Sequence, residues 1–107
     1  MSNFTLFHES PMAQLFVCSE GIHFALLLGN VQVFQTRREL DKLANITSRY
    51  LEQVEYQPCR ACKPFIIDTP LKNLQLRFSY HELGQLHHFL HEALFLIEVE
   101  GLLYSEK

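Results

Sequence analysis

Residues 29–43 read GNVQVFQTRRELDKL, and residues 72–86 read KNLQLRFSYHELGQL. Aligned at that spacing, Asn30, Gln32, Glu39, Leu40 and Leu43 fall on Asn73, Gln75, Glu82, Leu83 and Leu86. Val31 and Val33 correspond to Leu74 and Leu76, and further on Leu51 and Val54 correspond to Leu94 and Ile97. Each copy starts as an alternating strand and then changes period. Thr36 followed by Glu39, and Ser79 followed by Glu82, have the spacing of a capping box. In that motif the hydroxyl and the carboxylate each satisfy a backbone donor that a helix start leaves unpaired. Apolar residues at helical spacing follow both boxes, with charge on the opposite side. Strand, cap, stripe and helix length agree together, and this predicts an internal strand–strand–helix repeat.

Upstream of the first copy, Ile22–Leu28 is an apolar run ending at Gly29-Asn30. Two apolar runs joined by Gly-Asn predict a hairpin with a tight primed turn. The second hairpin turn is longer and contains Thr69-Pro70, itself a turn signal. Two further strand candidates, Phe4–His8 and Met12–Val17, flank Glu9-Ser10-Pro11. Gly101 suits the left-handed position beyond a helix end. The expectation is one α+β domain over residues 1–107, with an N-terminal hairpin at 4–17 and repeat units at 18–56 and 59–100. Its antiparallel sheet would have about six strands, with two helices side by side on one face.

Composition narrows the function classes. A chain of 107 residues with 48% hydrophobic residues can bury a core without a metal or disulfide. Twelve acids against nine bases leave a formal net charge of −3, and the basic cluster Arg37, Arg38, Lys42 is answered by Glu39 and Asp41. That balance argues against nucleic acid, whose binders carry a basic face. The longest stretch free of Asp, Glu, Lys and Arg, GIHFALLLGNVQVFQT, is interrupted by Gly-Asn and too short to span a bilayer. With no leader pattern at MSNFTLFHES, the chain reads as cytoplasmic, its three cysteines reduced unless a metal holds them.

Cys59 and Cys62 form a CxxC in QPCRACKPF. A redox pair opens a helix, where the dipole stabilises a thiolate. Here the pair follows a helix and precedes a strand, with Pro64 blocking a helical start. A zinc knuckle fits that context better, as a tight turn leading into a strand. The repeat places Cys18 over Cys59 and Gly21 over Cys62, so three thiolates would converge with one corner open. His8, His23 or a water would complete it. Against this stands the tendency of cysteine to pack as a small hydrophobe.

The second helix carries HELGQLHHFLHE. His87 and His91 share one flank of the stripe Leu83, Leu86, Leu90, Leu94, Ile97, while His81 and His88 point to the far side with Glu92. A pair at i and i+4 can chelate an ion, yet the His-Glu-x-x-His pattern is absent. Gly84 interrupts the helix at some cost and would let another backbone approach. Together with His88 and the outward Phe95, it is the expected self-association surface.

No nucleophile elbow, phosphate loop or dinucleotide fingerprint occurs, and only Asp41 and Asp68 are aspartates. With its Gly-Asn hairpin LLLGNVQV and cysteine turns, the stretch Cys18 to Ile97 resembles a small bacterial family described only as a domain of unknown function. That resemblance implies no activity. Were two full cysteine pairs that family's pattern, Gly21 would depart from it. The expected function is a non-catalytic module acting through protein contacts and associating with itself. The alternative is a zinc-binding domain using Cys18, Cys59 and Cys62.

Overall fold

The computed structural model describes residues 3–18, 23–53 and 62–105, with side chains described as far as residue 100. In chain order it contains β1 (Phe4–Glu9), β2 (Ala13–Cys18), β3 (His23–Leu28), β4 (Val31–Thr36), α1 (Arg37–Gln53), β5 (Phe65–Asp68), β6 (Gln75–Phe78) and α2 (Tyr80–Ser105). The class is α+β. Strands β1–β4 form an antiparallel meander in the order β1-β2-β3-β4, and among the described strands β5 pairs only with β6.

Two expectations are corrected here. The six strands form two sheets of four and two, where one sheet of about six was expected. β5 and β6 are only four residues each, and their apolar face is already used: Phe65 and Ile67 are buried in the common core. Phe65 contacts Tyr50 of α1 at 5.6 Å and Tyr80 of α2 at 6.5 Å between centroids. The Tyr50 hydroxyl donates to the Ile66 carbonyl at 3.0 Å. The hairpin is therefore held on the helices, away from the edge of the larger sheet. Strand–strand–helix does occur twice in chain order, but the two hairpins belong to different sheets, and the fold does not show a repeat. The second correction is at Gly101, which lies inside α2.

The local signals explain the elements. Gly29 has φ 62°, and no non-glycine residue among those described has positive φ. Positive φ at the first central position alone is the geometry of a type II′ turn, which matches strand twist. Both capping boxes form. The Thr36 N–H donates to Glu39 Oε1 at 2.8 Å, and the Glu39 N–H to Thr36 Oγ1 at 3.2 Å. The Ser79 N–H donates to Glu82 Oε1 at 2.9 Å, and the Glu82 N–H to Ser79 Oγ at 3.1 Å.

The Ser79 amide bond holds the Glu82 carboxyl below its ordinary range, against the opposing effect of burial and with help from Lys63. A depressed folded-state pKa contributes stability above the unfolded value, and that contribution fades as pH falls through the folded value. Glu82→Ala should accordingly lower the melting temperature at pH 7 and by much less at pH 3. Thermal melts of both proteins at the two pH values check this; an equal deficit would contradict it.

One continuous core lies between the larger sheet, the helices and the small hairpin. Across the larger sheet, Leu15 pairs with Leu26, which pairs with Val33, and Val17 with Phe24. This inner face meets Leu40, Leu43 and Ala44 of α1 and Leu83, Leu86, Phe89, Leu90, Ala93 and Ile97 of α2. Phe89 was not part of the sequence stripe, yet it is 1% exposed. A bulge explains part of this. The β1–β2 register shifts between Leu6 and His8, so Phe7 packs on the core and His8, one residue on, also faces inward. The His8 ring then stacks on Phe89 at 4.9 Å.

Candidate functional site

Strand alternation assigns the other face of the larger sheet. The register pairs Leu6 with Phe16, Phe16 with Ala25, and Ala25 with Phe34, while Gln14 pairs with Leu27 and Leu27 with Gln32. Phe4 and Phe34 come from the two edge strands and their rings meet at 5.7 Å. Ala25, between Phe16 and Phe34 in register, is 2% exposed although none of the described helix residues of the core packs on that side. Phe34 remains 57% exposed and Leu6 43%. The polar members are Gln14, Gln32, His23 and Thr36, and Glu9 is the only charged side chain among the described strand residues of this face.

Of the candidate metal ligands, Cys18, Cys62, His8 and His23 are among the described residues, and these four form no metal-holding group. Cys18 is buried at the end of β2, where the His23 N–H donates to its Sγ at 3.4 Å. Cys62 is disulfide-bonded, and a half-cystine supplies no thiolate until it is reduced. Cys59 lies outside the described residues, as does Gly21. His8 faces α2, where Glu92 Oε1 lies 3.2 Å from its Nε2. His23 and His8 thus stand on opposite faces of the sheet. Among the described residues no group of three or more His, Cys, Asp or Glu is arranged to hold a metal ion.

Gly84 and His88 line a groove of about 600 Å³ beside the β1–β2 turn. Glu92 also joins His88, with Oε2 at 3.1 Å from its Nε2, so one carboxylate bridges His8 and His88. Phe95 is 66% exposed, and Val99 one turn on is 61% exposed. A Cβ built at Gly84 would meet nothing within 4 Å, so no neighbour in the protomer requires glycine there. Gly84→Ala should stabilise the protein by about 1 kcal/mol through helix propensity. Urea midpoints measure it, and a lowered midpoint would mean that the helix is distorted at this position.

His87 and His91 do come together, with ring centroids 4.2 Å apart. They join α1 through Thr47 and Ser48: Thr47 Oγ1 is 3.2 Å from His87 Nδ1, and Ser48 Oγ is 3.3 Å from His87 Nδ1 and 3.2 Å from His91 Nε2. The uncovered sheet face was missed in the sequence, although its signal is there. In AQLFVC and HFALLL the apolar residues do not alternate with polar ones. A strand apolar on both sides is the pattern of one covered on both sides.

Comparison with protein-family models, with curated proteins and with solved structures finds no match for this chain. No helix among the described residues is long and apolar enough to cross a membrane.

Proposed function

We propose that this chain is a protein-contact module that pairs with a second copy of itself through the outer face of the four-stranded sheet. The observation that carries the reading is that β2 and β3 are apolar on both faces while the helices cover only one. Leaving the outer side in water forgoes about 25 cal/mol for each Å² of apolar surface that could be buried. A second sheet packed about 10 Å away recovers it, as in a sandwich.

The charge pattern favours a second copy as the occupant. In a two-fold interface the same patch meets itself, so any charge at its centre faces its own kind. Here the two central strands contribute Phe16, Ala25 and Leu27, and the one charge among the described strand residues of this face, Glu9, sits at the end of the edge strand β1. Depletion of charge at the centre of a patch is also the compositional mark of interfaces. Sedimentation velocity over a range of concentrations tests the proposal. A dimer is expected, and a monomer at every concentration would reject it.

A further inference from the structure

The groove on the helix side, remote from that sheet face, has a distinct chemistry. Met12, Leu51 and Phe89 give it apolar walls, and Gly84 leaves its mouth open. Its size, about 600 Å³, is that of a small-molecule site. Among the described lining residues there is neither lysine nor arginine, and Glu92 is the one carboxylate. An anionic ligand would find no fixed counter-charge there. A cation would, because each carboxylate oxygen accepts more than the one bond it makes to His8 or His88.

The hydrogen bonds settle which nitrogen of His87 carries the proton. Thr47 Oγ1 donates its one hydrogen to the Ala44 carbonyl at 2.7 Å. Towards His87 it only accepts, so His87 Nδ1 carries the proton and donates to Thr47 and Ser48. Ser48 Oγ also lies 3.2 Å from His91 Nε2. Nε2 of His87 is left as an unprotonated acceptor on the ring edge away from α1. Burial, followed by the neighbouring His91 and His88, holds this imidazole below the usual histidine pKa, so it is neutral at pH 7.

We propose that the groove binds a small amphipathic amine, with its cationic nitrogen at Glu92, its apolar or aromatic body against Phe89 and Met12, and a hydroxyl or N–H donor on His87 Nε2. Gly84 is explained by the same proposal, since any side chain there would project into the space the ligand fills. Tyramine is the probe, and 4-hydroxyphenylacetate is its anionic counterpart with the same ring and hydroxyl. The readout is the histidine Cε1–H resonances of the full chain, assigned with His87→Gln. Tyramine should shift the His87 resonance saturably, and the acid should bind about tenfold more weakly or worse. Gly84→Leu should fold, melt higher and lose the tyramine response. Glu92→Gln should weaken it about tenfold and decides the matter should the leucine variant fail to fold. No saturable shift with tyramine, equal binding of the acid, or an undiminished response in the folded Gly84→Leu protein would each overturn the proposal.

Discussion

Phe89→Ala is expected to cost about 3–5 kcal/mol of folding stability, the usual range for removing a buried phenylalanine. Against a total of about 5–15 kcal/mol for a domain, that is a large share of the stability. The position of the side chain decides the effect. Phe89 is 1% exposed, stacks on His8, and stands between the β1–β2 hairpin and the rest of α2. Truncating it removes the ring that packs on His8 and leaves a cavity in the core. Phe95 is the control, with the same side chain on the same helix at 66% exposure. Phe95→Ala should change stability by no more than about 0.5 kcal/mol. Guanidinium denaturation of the two variants separates them. Equal losses would mean that the packing described for α2 is wrong.

The second large effect is on association. Phe34→Asp should turn the proposed dimer into a monomer while leaving the protomer folded. In the protomer the Phe34 side chain is 57% exposed, so aspartate there stays hydrated and costs little. In the proposed dimer the same position lies within the interface, and an aspartate there would be buried without a partner in each copy. Burying an unpaired carboxylate costs several kcal/mol even after relaxation, and each 1.4 kcal/mol is tenfold in affinity. A weakening of at least about a hundredfold follows. Phe95→Asp, placed on α2, should leave the dimer intact. Should Phe95→Asp dissociate it and Phe34→Asp not, the interface belongs on α2, where Gly84, His88 and Phe95 first suggested it.

The features legible in the sequence were those set by near neighbours along the chain. Gly29-Asn30 specifies its turn through one backbone angle, and Thr36 with Glu39 or Ser79 with Glu82 each close a helix start within four residues. Both helices followed from the spacing of leucines. Features that depend on distant partners were not legible. Nothing within β5 or β6 says that their partner is only each other, because pairing with β4 would satisfy the same alternation. The bulge at Phe7, which turns His8 towards Phe89, is visible only once β1 is laid against β2. For the same reason His8 could be considered a companion of Cys18, when it stands on the other side of the sheet. Gly101 continues α2 because glycine permits a helix end and does not impose one. The candidate site was half legible. Phe34 breaks the polar side of β4 in the bare sequence, but its meaning depends on knowing that the helices occupy the opposite face.

Sedimentation velocity of the full chain beside Phe34→Asp, over the widest concentration range that solubility allows, tests the central claim most directly. The parent chain is expected to be a dimer and the variant a folded monomer, with unchanged circular dichroism. A parent chain that is monomeric throughout, or a variant that dimerises as tightly as the parent, would contradict it.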